Sequence, residues 1–551
     1  MAAMDKTMTA RSKAGFYLCA ALLPVSLAAC GGGGGAGSAT PVPPPTQVTP
    51  PVVVPPPVLP PVVVPPAEPA DGLGIAGHLP GTQDLGAGSQ VPLNKAGLPI
   101  SYANMAVALS DEGKALLALQ YSNSYDVQNN LTYWAQSSPQ GQWGSFQPVA
   151  AAGLAGRTGS IELQMNAAGN AILNWTDLNP LYTINPKAFI MNVARYIEGK
   201  GWDPVVYEPS AGDIGNYYHV GAGTDISLLA DSSFTYSGLA SDYEVVRTTL
   251  DGRQQRLLPV NRSYPEPETP KFTTSYTFFA PHADGYGLYY TSSFSRTEKG
   301  MTDLNVRWAD VSNVAFAPWT IASYSGFCAS RPIVATTTDY AEGVLSVVSQ
   351  DSADCTTENL DLIRVNRRFG VNAKITRVSE KNVSILFPPK IFNDAQGNAL
   401  AVWVERTKQG SGSPITPVRT MWSRSMYGEN WSTPQILMSN SPASSFDYLT
   451  DQNIAVAMNA AGQAVAAKLV QNDDYSISIM VNKFAMGTGW GGWTKVAHKA
   501  EGLNPRVAIN ASGQAVVAYL AYPSTRTPFG RADMAELIHP RWRWHTFVLR
   551  F

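Results

Sequence analysis

Apolar and polar residues alternate with a period of two through short runs of this chain, and many runs end in a polar turn closed by glycine. MNAAGNAILNW (165–175) is the clearest instance. Asn166 can bond its own backbone across the turn, Gly169 supplies a positive φ, and alternation resumes as Ala171, Leu173 and Trp175 against Ile172 and Asn174. The pattern predicts a β-hairpin. It returns as FNDAQGNALAVWV (392–404), MNAAGQAVAAKLV (458–470) and INASGQAVVAYL (509–520). With the turn glycine as a marker, the hairpin falls at Gly113, Gly169, Gly397, Gly462 and Gly513, with weaker equivalents near Asp231-Ser232, Gly285 or Gly287, and Gly343. Eight markers at a mean interval of about 57 residues are the mark of a repeat architecture.

A second landmark runs in step. A tryptophan follows the turn by about thirty residues at Trp143, Trp202, Trp319, Trp431, Trp493 and Trp544, and third-strand runs such as FIMNVARYI, TMWSRSM and SISIMVNKF lie between. Each unit therefore holds four short strands. Four-stranded units repeated radially describe a β-propeller, whose closure into a ring protects the sheet edges. The expected fold is all-β, a propeller of about eight four-stranded blades over residues 100–551. Seven blades plus a divergent hairpin is the alternative, because the third and fifth units lack the tryptophan. The last unit reads as complete to Phe551, and the pre-propeller segment 73–99 is available as a sealing strand.

Composition narrows the class. With 39 Lys and Arg against 41 Asp and Glu, the net charge of −2 argues against a nucleic-acid partner. The 47 glycines and 41 prolines fit a turn-rich β protein.

Residues 1–29 carry Lys6, Arg11 and Lys13 and then a short apolar run, the profile of a signal peptide and too short to span a membrane. The run ends in Leu27-Ala28-Ala29-Cys30, which resembles the lipobox of bacterial lipoproteins. That resemblance implies lipidation of Cys30 and a membrane held through its acyl chains, palmitate among them. Gly31, where an Asp would favour the inner membrane, implies the outer membrane. Residues 30–72 continue as a glycine run and Pro/Val repeats, a polyproline tether reaching on the order of 100 Å at ~3.1 Å per residue. Cys19 lies in the signal and Cys30 takes lipid, so Cys328 and Cys355 are expected to pair in an oxidising compartment.

In a propeller, the loops that enter the innermost strand and leave the second share one face. Inner-strand starts bring Arg157, Lys271, Arg331, Lys390 and Arg506 to that mouth, and second-strand ends bring Asp177, Glu405 and Asp474 with the aromatics Trp175, Trp403 and Tyr522. Guanidinium forks suit the carboxylates of acidic sugars or proteins, and aromatic faces suit sugar rings. The competing reading has ordinary solvated loop charges and tryptophans packed between blades.

No nucleophile motif, HExxH or phosphate loop is present, and the six histidines are scattered, so no catalytic residue, metal or cofactor is expected. SRSMYGENW (423–431) resembles the Asp-box hairpin, S-x-D-x-G-x-x-W, of the sialidase propeller superfamily, with Ser425 in place of the Asp and one extra residue before Gly428. The resemblance implies the blade architecture. The expected function is a membrane-anchored binding or scaffolding lipoprotein that recognises a protein or glycan through one face. A sialidase-like hydrolase of acidic glycans is the alternative, requiring three arginines, a tyrosine nucleophile with its Glu, and an Asp acid.

Overall fold

The computed structural model describes residues 78–85, 102–122, 131–149, 161–178, 189–207, 226–237, 245–258, 273–281, 286–295, 301–310, 319–329, 334–337, 342–350, 358–366, 374–379, 383–386, 389–407, 418–439, 454–471, 477–497, 503–521 and 545–551. All fall within the compact unit Val63–Phe551. Among the described residues every regular element is a strand, and every strand pair is antiparallel.

The first unit orders Tyr102–Leu109, Ala115–Ser122, Leu131–Gln136 and Gln147–Pro148 as consecutive neighbours in one sheet. Ile161–Met165, Ala171–Leu178, Phe189–Ile197 and Gly201–Tyr207 repeat this in the second unit, as do Ile226–Leu228, Phe234–Ser237, Val245–Thr248 and Gln254–Leu258 in the third. Two departures from the expected repeat follow. The fourth and fifth units, from Thr273–Pro281 to Lys374–Arg377, share one sheet, because Cys328 and Ala329 pair with Gln350 and Ser349. The last unit supplies only Leu503–Ile509, Ala515–Ala521 and His545–Arg550, and its fourth strand is Gln83–Asp84 from the other end of the chain. The expectation of a complete C-terminal unit is corrected accordingly: the segment before the repeats supplies the fourth strand of the last sheet.

The first strands of the units neighbour one another in radial order. Leu503–Ile509 packs on both Ile454–Met458 and Tyr102–Leu109, and Tyr102–Leu109 packs on Ile161–Met165, which meets Ile226–Leu228. On the other side, Lys390–Asn393 lies between Ile454–Met458 and Val334–Thr337, and Val334–Thr337 meets Thr273–Pro281. Thr273–Pro281 in turn contacts Phe234–Ser237 of the third unit. The all-β arrangement is propeller-like, with first strands innermost.

The apolar pattern explains this packing. Successive residues of a strand face opposite sides, and second strands such as that of the sixth unit are covered on both. In Ala399–Thr407, Leu400, Val402 and Val404 enter the core shared with the seventh unit, while Ala399, Ala401 and Trp403 enter the core shared with the fifth. Trp175 and Trp403 are among the largest fully buried side chains, so they pack between units rather than line a mouth.

The recurring turn phrase has two roles. Gly113, Gly169, Gly397, Gly462 and Gly513 all take φ between +77° and +85°, and Ser232, with φ of 66°, holds the equivalent place in the third unit. Gly287 and Gly343, taken as weaker turn markers, instead lie within strands. The polar residue that opens each turn caps it: Asn166, Asp394, Asn459 and Asn510 each accept, through Oδ1, the backbone N–H four positions on. The asparagine side chains then reach across to the next unit. Asn166 Nδ2 donates to Leu229 O, Asn459 Nδ2 to Asn510 O, and Asn510 Nδ2 to Ser110 O at 3.2 Å. The last of these bonds joins the last unit to the first.

Third-strand arginines form a parallel set of latches. Arg195 donates to Thr249 O, Arg364 to Met426 O, Arg424 to Met486 O and Arg550 to Pro139 O, each on the following unit. Arg195 and Arg424 stand seven positions before Trp202 and Trp431, a spacing that would have flagged them in the sequence.

A Cβ at Gly462 would lie 2.8 Å from Asp394 Oδ2, whereas one at Gly199, also at φ +77°, would meet nothing within 4 Å. Gly199→Ala is expected to cost about 1 kcal/mol from backbone strain alone, and Gly462→Ala about 2 kcal/mol. Urea midpoints of the two variants check the difference.

Candidate functional site

Lys390 opens the inner segment, Lys390–Asn393, of the sixth unit's first strand, Arg506 lies in the first strand of the eighth, and Glu162 in that of the second. Each stands four positions before the turn-opening residue of its unit, namely Asp394, Asn510 and Asn166. A strand rises about 3.3 Å per residue, so a common offset of four places the three at one level of the inner wall, about 13 Å from the turns.

Their electrostatics show that they share a space. Lys390 has an exposed side chain by surface, yet desolvation pushes its pKa down to about 8, helped by the positive charge of Arg506 and opposed by Glu162. Arg506 is also lowered, first by desolvation, with Glu162 opposing. Lys390 Nζ donates to Ile454 O at 2.8 Å, and Arg506 Nε donates to Met105 O at 2.7 Å, so each cation is fastened to the neighbouring inner strand. Glu162 accepts from Asn174 Nδ2 at 3.4 Å. Among the described residues of this cluster, two cations are coupled to one carboxylate, and the surplus positive charge favours an anion.

Of the expected mouth residues, the structure brings together Lys390 and Arg506. Asp177 lies in Ala171–Leu178, opposite Ile190. Arg157, Lys271, Arg331 and Asp474 lie outside the described residues, as do Tyr522, Cys30 and Cys355.

Glu405 is corrected. It is 1% exposed, accepts from Trp403 Nε1 at 2.8 Å and Arg419 Nη2 at 2.7 Å, and so serves the interior rather than a ligand. The physical reason is that the sixth unit's first strand is split. Lys390–Asn393 pairs with the near part of Ala399–Thr407, while Val383–Ile385 continues the pairing and sets Ile385 against Glu405. What looked like a strand end is covered strand. Glu162 was missed, and its offset from Asn166, shared with Lys390 and Arg506, is the signal that finds it.

No protein-family model matches the chain, and no curated protein matches it. Among solved structures it is similar to a protein of unknown function from Dyadobacter fermentans, at 11% identity over 86% of this chain and 100% of that one, with a TM-score of 0.36. It is also similar to the Hadza microbial sialidase Hz136, at 9% identity over 70% of this chain and 66% of that one, with a TM-score of 0.33. An ulvan lyase of a polysaccharide lyase family shows 9% identity over 78% of this chain and 95% of that one, with a TM-score of 0.37. At scores this low the likenesses carry no argument about function.

Proposed function

We propose that the chain is an eight-bladed β-propeller that binds an acidic ligand at the mouth of its central channel, held to the bacterial outer membrane by lipid on Cys30 and a Pro-rich tether. The observation that carries the binding reading is the convergence of Lys390 and Arg506 on one level of the inner wall, where Lys390 feels the charge of Arg506 and both feel that of Glu162. A fixed pair of cations in a narrow channel selects for carboxylate, sulfate or phosphate groups and steers them inward. The blade count is supported by eight units whose first strands neighbour one another in turn, except that the third and fourth meet through Phe234–Ser237, and by the pairing of Gln83–Asp84 with Phe547-Val548. In this reading Cys328 and Cys355 form a disulfide near the point where the fourth and fifth units share a sheet; Cys355 follows Gln350, the backbone partner of Cys328, by five positions.

The test is titration of the full chain with anionic polysaccharides, both carboxylated and sulfated. Binding is expected at low salt, and removal of both cations in Lys390→Gln, Arg506→Gln is expected to weaken it by at least tenfold, about 1.4 kcal/mol. The pH dependence follows from Lys390. Its amine is charged below about pH 8 and neutral above, so affinity is expected to fall severalfold between pH 7 and about pH 9. Lys390→Arg should remove that dependence. Equal binding by the wild type and the double variant would sink the reading.

A further inference from the structure

We propose that a cleft on the first unit, beside its contact with the second, binds an uncharged pyranose ring. The cleft has a volume of about 420 Å³ and is lined by Trp134, Gln136, Ser138, Ser145, Gln147 and Lys114, among others. That volume falls in the range of small-molecule sites, roughly 300–1,000 Å³. It lies apart from the central mouth. Lys114 follows the turn that begins at Ser110, and the first-unit residue level with Lys390 and Arg506 is Ala106, four positions before that turn, about 13 Å along the strand.

Three properties of the lining set the ligand class. The first is a held aromatic face. Trp134 is half-buried, with Trp202 edge-on at 6.0 Å and Tyr196 tilted at 5.7 Å. Tyr196 and Trp202 also meet edge-on at 5.5 Å, so the trio is rigid and the indole is not spent on rotamer freedom. A fixed indole plane matches the apolar C–H face of a sugar ring.

The second property is the pairing of donors with acceptors. The Gln136 and Gln147 amides each offer both, and the Ser138 and Ser145 hydroxyls do so too. Vicinal sugar hydroxyls likewise donate and accept. A purely apolar ligand would desolvate these groups without replacing their bonds, which is costly.

The third is charge. Lys114 is the one ionised side chain among the described lining residues, and Glu198 holds it at 2.5 Å. An anionic ligand would have to displace Glu198, and a cationic one would meet Lys114. A neutral ring faces neither penalty.

The experiment is saturation-transfer NMR on the full chain, in a detergent without a sugar headgroup. The probes are methyl glucoside, methyl galactoside, methyl mannoside and N-acetylglucosamine. At least one is expected to give a saturable signal at millimolar concentration. Gln147→Ala, at an exposed position, and Trp134→Leu are each expected to weaken it by roughly tenfold, with Trp134→Phe retaining most of it. Lys390→Gln should leave it unchanged, which separates this site from the central mouth. No saturable contact with any of the four up to about 50 mM would overturn the proposal. So would a signal untouched by Gln147→Ala and Trp134→Leu, or one lost only in Lys390→Gln.

Discussion

Asn510→Ala is expected to destabilise the protein by about 3 kcal/mol, several times the cost of a typical exposed polar substitution. The side chain is 2% exposed and makes bonds on both sides of the seam between the last and first units. Its Oδ1 accepts from Gln514 N at 3.0 Å and Ser512 Oγ at 2.8 Å, and its Nδ2 donates to Ser110 O at 3.2 Å. Alanine leaves the Gln514 N–H and the Ser512 hydroxyl without their acceptor, at roughly 1–3 kcal/mol each where water cannot replace it, and removes one of two donors to Ser110 O, which keeps Gly113 N. Asn166→Ala is the comparison, since one of its two carbonyl contacts on the next unit is exposed, and about 1 kcal/mol is expected there. Asp394 shows how the position tolerates a carboxylate. There the carboxylate caps its own turn through Oδ1, while the link to the seventh unit is made by backbone, Ala395 N to Ala460 O. Asn510→Asp keeps the cap but loses the donor to Ser110, so its cost should fall between wild type and Asn510→Ala. Urea midpoints measure all three, and equal losses for Asn510→Ala and Asn166→Ala would show that the seam is no more demanding than any other joint.

The turn phrase was legible because local chemistry enforces it. A tight turn needs a positive φ at its fourth position and an acceptor at its first, and both demands fall on residues close together in sequence. Even the eroded third unit kept the geometry, with Ser232 accepting a φ of 66° where glycine stands elsewhere. Alternation was legible for the same reason, since a strand covered on both sides must be apolar on both. Pairing across long distances left no comparable trace. Gln83–Asp84 is a strand of two residues with no period to detect, and its partner Phe547-Val548 lies more than 460 positions away. Glu405 was misplaced because the strand that covers it, Val383–Ile385, is a fragment of three residues beyond a break in the sixth unit's first strand. The site lay between these extremes. Cations at inner-strand starts were visible one by one, but the level shared by Glu162, Lys390 and Arg506 appears only when the strands are aligned on their turns.

The strap that pairs with the last unit also carries a titration. His78 is 5% exposed, its ring stacks on Phe547 at 4.1 Å, and its Nδ1 lies 2.7 Å from the Tyr519 hydroxyl. Leu79 N donates to Val496 O, Leu85 N to Thr546 O, and Gln83 Nε2 to Gly141 O, so the strap touches the seventh, eighth and first units. Burial pushes the His78 pKa down from 6.5 to about 4, and Asp84, itself paired with His545 at 2.8 Å, opposes only part of that fall. The folded state therefore holds His78 neutral at pH values where the unfolded chain is already protonated. Above about pH 6.5 the group has no effect; as pH falls toward 4 the unfolded chain gains a proton that the folded one refuses, and stability drops. A shift of this size corresponds to at most about 3 kcal/mol, nearer 2 after screening through the strap. His78→Phe keeps the stack on Phe547 and removes the titration. The urea midpoint of the wild type should fall from pH 7 to about pH 4.5 by more than that of His78→Phe, and the difference between the two curves should vanish above about pH 7. Parallel curves across the whole range would mean that His78 is hydrated in solution and that the seam is not dry.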